Sequence, residues 1–176
     1  MKQKNYHSKA FIGIDPGKSG AIVVLDGKRI VHSSKTPVIS VGKGSKREYD
    51  PNEMMNVLSS FDFDLVIIEK QQAMPKQGVS STFSTGYGYG LWIGILAASG
   101  IPYEEVRPAA WSKSMLAGAS GKGKGAHILA AKRVFPGINL KKSARSRVDD
   151  DGIADAALLA MYGYRMRGLK SQIRTS

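Results

Sequence analysis

The chain has 176 residues, 42% of them hydrophobic, which is enough for one domain with a sizeable core and too few for two ordinary domains. It contains no cysteine, so disulfides and thiolate metal sites are excluded, and a reducing compartment is expected. Lys and Arg number 26 against 14 Asp and Glu, a formal net charge of +12 that is typical of proteins that bind a polyanion.

The first third of the chain predicts an antiparallel run of strands followed by a helix. Three strands are expected, over residues 10–14, 21–25 and 29–33. The dipeptide Asp26-Gly27 is a hairpin turn signal between the second and third strands. Residues 40–46 are rich in Gly, Ser and Lys and predict a loop. Asp50 followed by Pro51 predicts the start of a helix that ends near Ser60, because Asp is a good cap and Pro fits the first helical position.

The remainder of the chain alternates strands with helices. Short apolar runs predict strands over residues 65–68, inside the sheet, and 101–106. Helices are expected over residues 83–99, 108–116, 126–135 and 149–167, with a Gly- and Lys-rich loop over 118–125. This order predicts an α/β fold, in which a mixed central sheet starts with three antiparallel strands and has helices on both faces.

One domain is expected to occupy residues 1–176, with flexible basic tails over 1–9 and 168–176. No apolar run reaches the length of a membrane span, and no apolar segment of signal-peptide type follows the basic N-terminus. These features predict a cytoplasmic location, at the nucleoid or in a phage-infected host cell.

The charges are unevenly distributed. Between Arg107 and Val148 there is no acidic residue but ten basic ones, and Asp149, Asp150 and Asp151 follow at once. A phosphate-binding surface beside an acidic cluster is what a metal-dependent nuclease needs. The alternative is an ordinary solvated basic surface.

Four carboxylates are candidates for one site. Asp15 and Glu69 each follow a buried strand directly, and functional groups collect at such strand ends in open α/β sheets. Asp15, before Pro-Gly, could instead serve only as a turn residue. Asp151 and Asp155 lie four apart on one helix face, where like charges destabilise the helix unless a cation offsets them. Helix capping could explain Asp149 and Asp150, but it explains Asp155 poorly.

These carboxylates form a set of hard oxygen ligands, which suits Mg²⁺ or Mn²⁺. Two such ions can promote phosphodiester hydrolysis by activating a water and stabilising the leaving oxygen. The three histidines, His7, His32 and His127, fall outside this set in the sequence. A zinc site or a histidine acid is therefore not expected.

Three segments, GIDPGKSGAI, VIIEK and DDGIADAALLA, resemble in order the acidic motifs of RuvC-type Holliday-junction resolvases, which have the RNase H-like fold. GYGYGLWIGILAASG, MPKQG and AAKRVFP are similar to segments of the plant-chloroplast and phage branch. The resemblance covers roughly residues 10–165. It implies a homodimer that resolves four-way junction DNA by paired symmetric nicks, using two Mg²⁺ ions per active site, for which Mn²⁺ can substitute.

By this resemblance, the metal ligands are Asp15, Glu69, Asp151 and Asp155. Bacterial resolvases space the last pair three residues apart, whereas here the spacing is four, so Asp150 is an alternative to Asp151. Lys124 would act beside them, and with Lys122 it would contact the scissile phosphate or its neighbour.

The DNA-binding residues would be Lys113, Lys122, Lys124, Met74, Lys76, Arg145 and Arg147. Met74 would be a wedge between unstacked bases, or else ordinary packing. The helix with Tyr89, Trp92 and Ile93 would supply dimer contacts by resemblance, although such a stripe is more often core.

Three other functions are compatible with some of the same residues. A nuclease of this fold could cut the RNA of RNA–DNA hybrids, and the acidic residues alone do not separate that activity from junction cleavage. A junction-binding module without activity would not need all four carboxylates. GIDPGKSGAIVVLDG also resembles the first phosphate loop of sugar kinases and actin-like ATPases, but those proteins need about twice this length.

Overall fold

A computed structural model describes residues 10–43, 46–73, 75–118 and 123–173, with the side chains of 124 and 169–173 left out. The strands are β1 Ala10–Asp15, β2 Ala21–Asp26, β3 Arg29–Lys35, β4 Val38–Ser40, β5 Arg47–Tyr49, β6 Leu65–Glu69 and β7 Tyr103–Val106. The helices are α1 Pro51–Ser59, α2 Val79–Ala98, α3 Pro108–Met115, α4 Lys124–Val134 and α5 Asp151–Ile173.

Five strands form a mixed sheet in the order β3-β2-β1-β6-β7. The first three strands pair antiparallel, and β6 and β7 extend the sheet in parallel from β1. The predicted mixed sheet with an antiparallel start is confirmed. The loop expected over residues 40–46 is confirmed for the described residues 41–43 and 46, whereas Ser40 ends β4, which pairs with β5 in a separate hairpin that was not predicted. Strands of three residues are too short to give a readable period in the sequence.

The two faces of the sheet bury different side chains, since neighbouring residues of a strand point to opposite sides. On one face, Phe11 and Ile67 pack with α3, α4 and α5. On the other, Ile12 and Ile68 pack with α1 and α2. The prediction of helices on both faces is therefore confirmed. None of the helices in the described part of the chain combines the length and apolar character of a membrane span.

Helix α5 lies directly on the central strand. A Cβ atom at Gly13 would come within 2.0 Å of the Ala156 carbonyl oxygen, so glycine is required there. Ala154, Ala157 and Ala160 are fully buried on the same helix. Small side chains on both partners allow this close approach, which brings the start of α5 near the end of β1.

Several helix ends differ from the sequence prediction. Asp50 caps α1 as predicted, its Oδ1 accepting from the Glu53 N–H at 3.1 Å. Helix α2 begins four residues early, at Val79, and α4 begins two residues early, at Lys124. Helix α5 starts at Asp151 and continues to Ile173, into the segment expected to be a flexible tail.

Candidate active site

Asp15 and Glu69 lie side by side at the ends of adjacent parallel strands. Ile14 of β1 is in register with Ile68 of β6, so the next residue of each strand emerges at the same edge. Burial, together with the negative charges of Glu69 and Asp155, raises the pKa of Asp15 to about 7. The Gly17 N–H gives the Asp15 carboxylate only a long hydrogen bond of 3.4 Å. This carboxyl therefore sits where a negative charge is poorly compensated.

Glu69 is held by two donors. Trp111 Nε1 donates to Oε1 and Gln71 Nε2 donates to Oε2, each at 3.0 Å. Burial nevertheless raises the pKa of Glu69, assisted by the charge of Asp155. The two hydrogen bonds thus fix the orientation of the Glu69 carboxyl, which lies close to other acids.

Asp155 reaches the same place from α5. Its charge raises the pKa of both Asp15 and Glu69, so the three carboxylates form one coupled group. Asp151 stands one turn earlier, and its charge contributes to raising the pKa of His127. Strand ends and helix thus bring Asp15, Glu69 and Asp155 together, and Asp151 lies one helical turn before Asp155.

The expectation that no histidine joins this set was wrong. His127 Nδ1 lies 2.5 Å from Asp155 Oδ1 and donates to the carboxylate. That hydrogen bond is the main reason why the pKa of His127 is raised. The ring also packs edge-on against Trp111, with centroids 5.3 Å apart. His127 and Trp111 thus hold one carboxylate each while contacting one another.

No local pattern in the sequence marks His127 or Trp111. His127 is 28 residues from Asp155, and Trp111 is 42 residues from Glu69. The one available signal was that His127 lies three residues after Lys124, in the helix that follows the Gly- and Lys-rich loop.

Asp150 is engaged elsewhere. Its Oδ1 accepts from the Ile153 N–H at 3.0 Å, as a helix cap does, and from Lys35 Nζ at 2.6 Å. Lys35 also donates to the carbonyl of Ser19, in the loop after β1. Asp149 does not cap the helix; it pairs with Lys132 and Lys141 at 2.6 and 2.7 Å.

Solved structures share this arrangement of strands and helices, although no protein-family model and no curated protein matches the sequence. Thermus thermophilus RuvC in complex with a Holliday junction superposes with a TM-score of 0.59, at 15% identity over 91% of this chain and 96% of that one. T. thermophilus RuvC in a second structure gives 0.54, at 18% identity over 90% and 96%. The yeast mitochondrial Holliday junction resolvase Ydc2 gives 0.55, at 13% identity over 96% and 82%.

The chain has the RNase H-like fold of RuvC. Within this RuvC fold, Asp15 and Glu69 occupy neighbouring strand ends, and α5 carries the remaining acids across the sheet. The sequence identities are too low for the fold to carry a function with it.

Four of the expected DNA-binding residues are exposed on this RuvC-like domain. They are Lys76, Lys113, Arg145 and Arg147. Met74 and Lys122 lie outside the described residues. Lys124 is the first residue of α4, and its side chain is outside the description too. Each of these roles stays a prediction.

The dimer contact expected of Trp92 was wrong for this side chain, which is fully buried in the core. Tyr89 donates to the carboxylate of Glu105, and Ile93 is partly buried against the same core cluster. On this RuvC-like domain the exposed face of α2 is formed by other residues, among them Val79, Phe83 and Tyr87.

The acids suit Mg²⁺ because of the type of ligand atom they offer, although they do not form a closed cage around an ion. Among the described residues, no three acidic, histidine or cysteine side chains converge tightly enough to enclose an ion. Mg²⁺ is usually bound by one or two carboxylates together with waters and substrate phosphates, so a closed protein cage is not required. Burial and the repulsion from Glu69 and Asp155 raise the pKa of Asp15, and a divalent cation would stabilise its charged form. The residues present therefore fit Mg²⁺.

Proposed function

We propose that this protein is a Mg²⁺-dependent endonuclease that resolves four-way DNA junctions. The observation that carries the proposal is that Asp15, Glu69 and Asp155 lie close enough for their charges to interact, where β1 and β6 end and α5 begins, and that the charge of Asp15 is poorly compensated. The chain is strongly basic overall, and RuvC of the same fold has been solved with a Holliday junction. Acids alone would repel DNA, so the basic surface and a cation are both needed.

The carboxylates of Asp15, Glu69, Asp151 and Asp155 would hold two Mg²⁺ ions, for which Mn²⁺ could substitute. When bound, these ions would lower the pKa of a water and stabilise charge on the scissile phosphate and the leaving oxygen. Hydrolysis joins the water oxygen to phosphorus and breaks the bond to the 3′ oxygen. The products are a 5′-phosphate and a 3′-hydroxyl.

The protein's own contribution is orientation. Trp111 and Gln71 fix the two oxygens of Glu69, and His127 fixes Asp155, so these carboxylates need little rearrangement when the substrate arrives. Asp150 is already committed to the helix cap and Lys35, which favours Asp151 as the fourth ligand. Lys113, Lys122 and Lys124 would bind phosphates beside the cut.

Paired nicks require two active sites, and α2 offers a surface for a second copy. This helix has 20 residues and no charged side chain. Val79, Phe83 and Tyr87 recur every four residues along it and are 87%, 74% and 48% exposed. An uncharged, partly aromatic helix face supports a homodimer, whose two-fold symmetry would match that of an open junction.

The proposal is tested by cleavage with Mg²⁺ of a labelled immobile junction, a linear duplex with the same arm sequence and an RNA–DNA hybrid. We expect paired symmetric nicks in the junction only. Cutting of the hybrid would retain the metal site and replace the substrate. Tight junction binding without any cutting would indicate a binding module.

A further inference from the structure

The hairpin of β4 and β5 stands apart from the five-stranded sheet. Its strands pair antiparallel from Val38 opposite Tyr49 to Ser40 opposite Arg47, and the Val41 N–H continues the ladder to the Lys46 carbonyl at 3.0 Å. A two-stranded hairpin is marginally stable by itself. Its place on the molecule therefore depends on what holds its base.

One anchor comes from the loop that follows Asp15. Lys18 Nζ donates to the Arg47 carbonyl at 2.6 Å and pairs with Glu48 at 3.4 Å, and it lies 5.3 Å from the centre of the Tyr49 ring. Three successive hairpin residues are thus tied to one lysine, three positions after the Asp15 carboxylate.

A second anchor comes from α2. The ring of Tyr49 is buried, and a Cβ atom at Gly88 would lie 2.1 Å from its hydroxyl oxygen. Tyr87 meets the same ring edge-on, with centroids 6.1 Å apart. Burial and the charge of Asp15 both raise the pKa of Tyr49, which places the hairpin base close to the active site.

Beyond this base the hairpin is exposed and basic. Lys43 and Arg47 are exposed, and the Lys46 side chain is 75% exposed. The one acid of the described hairpin, Glu48, is neutralised by Lys18 and Lys46. Positive charge is therefore exposed on a hairpin whose base is anchored to the loop that follows Asp15.

We propose that the hairpin is a DNA arm whose Lys43 and Arg47 bind backbone phosphates of the duplex leading to the cut. The inference rests on the proposed function, because DNA is taken as the partner. A DNA duplex that approaches the carboxylates comes close to their negative charge. Basic side chains on the hairpin would offset this repulsion. Lysine on a strand edge can also serve only to prevent edge-to-edge pairing, and the experiment separates these roles.

The test removes two charges from this hairpin and two from a matched one. K43Q/R47Q is compared with K28Q/R29Q, in the β2–β3 turn at the far end of the same sheet from Asp15. Affinity for the junction and for a linear duplex of its arms is measured in EDTA between 50 and 200 mM salt. Thermal melting checks that both variants fold, and K43R/R47K provides a version that retains the charge.

Each lost phosphate contact should reduce the slope of log affinity against log salt concentration by about 0.9. When the salt is raised from 50 to 200 mM, the affinity of K43Q/R47Q should therefore fall by a factor about ten times smaller than that of wild type. K28Q/R29Q and K43R/R47K should behave as wild type. Equal slopes for K43Q/R47Q and K28Q/R29Q would overturn the proposal. If wild type neither prefers nor cuts junctions, the proposed function fails, while the duplex slopes still decide whether the hairpin binds DNA.

Discussion

Two of the four proposed metal ligands come from strands and two from a helix, and the two pairs are held differently. Asp15 and Glu69 are placed by the pairing of β1 with β6, so backbone hydrogen bonds set their separation. Asp151 and Asp155 are placed by the packing of α5 on β1 and by contacts from β3 and α4. The separation of Asp15 and Glu69 is fixed even though their charges repel each other. The positions of Asp151 and Asp155, in contrast, depend on side chains from other elements.

This difference shows which acids carry the electrostatic cost of bringing like charges together. The strand ends cannot separate without breaking the sheet, and the pKa of Asp15 is raised to about 7. The helix-borne Asp155 accepts a hydrogen bond from His127, and that bond raises the pKa of the histidine. Substitutions in the strand pair should therefore change charge energetics, and substitutions around the helix pair should change geometry.

The largest effect is expected from Asp15→Asn. The amide keeps the shape but removes a charged ligand, so cleavage should fall by about a thousandfold, equivalent to about 4 kcal/mol of transition-state stabilisation. Junction binding should be retained, because the basic surface is unchanged. Asp26→Asn, at the opposite end of β2 from the site, is the control. Wild-type cleavage by Asp15→Asn would disprove the site assignment.

The second prediction concerns stability without metal. Because the pKa of folded Asp15 is raised to about 7 from 3.8, this group costs stability as the pH rises from about 4 and most above 7. In EDTA, Asp15→Asn should be more stable than wild type by up to about 4 kcal/mol at pH 8, with the difference vanishing near pH 4. Urea unfolding at several pH values measures it. A difference independent of pH would contradict the raised pKa.

The packing of α5 on β1, which brings the two pairs of acids together, can be disrupted at Gly13. In Gly13→Ala the new methyl meets the α5 backbone, and overpacking of this kind costs about 1–3 kcal/mol. Gly168→Ala, in the same helix with nothing within 4 Å of the added atom, should be neutral or slightly stabilising. Denaturant unfolding compares them, and equal stabilities would show that α5 does not lie so close to β1.

The smallest effect is expected at His127. His127→Ala removes the partner of Asp155 without removing a carboxylate, and losses of this kind weaken metal binding by about tenfold. Calorimetric titration with Mn²⁺ measures this without relying on cleavage. His32→Ala on β3, where the ring hydrogen-bonds Ser34, is the matched control. If both variants bind Mn²⁺ like wild type, the hydrogen bond to Asp155 has no role in holding metal.

The strand pair was predictable from the sequence and the helix pair only in part. Asp15 and Glu69 follow apolar runs whose strand character is local, and the acids Asp151 and Asp155 stand out by spacing alone. The contacts that orient the acids join distant parts of the chain: Lys35 and Asp150 are 115 residues apart. Such pairs leave no periodic pattern in the sequence, because only the tertiary fold brings them together.

The hydrophobic pattern likewise could not separate core from surface on α2. Trp92 is fully buried, whereas Phe83 is 74% exposed, although both are aromatic residues of one uncharged helix. The buried side of that helix carries Gly88 with Trp92 and Leu96, and at Gly88 Tyr49 of the unpredicted hairpin takes the space of a side chain.

The close packing of α5 on β1 also has a consequence for synthesis in the cell. Asp15 is made early and Asp155 late, and the strand at the centre of the sheet is covered by the helix that leaves the ribosome last among the described elements. Contacts so distant along the chain form slowly. A nascent chain therefore lacks an assembled metal site, and cutting activity should begin only after α5 has docked.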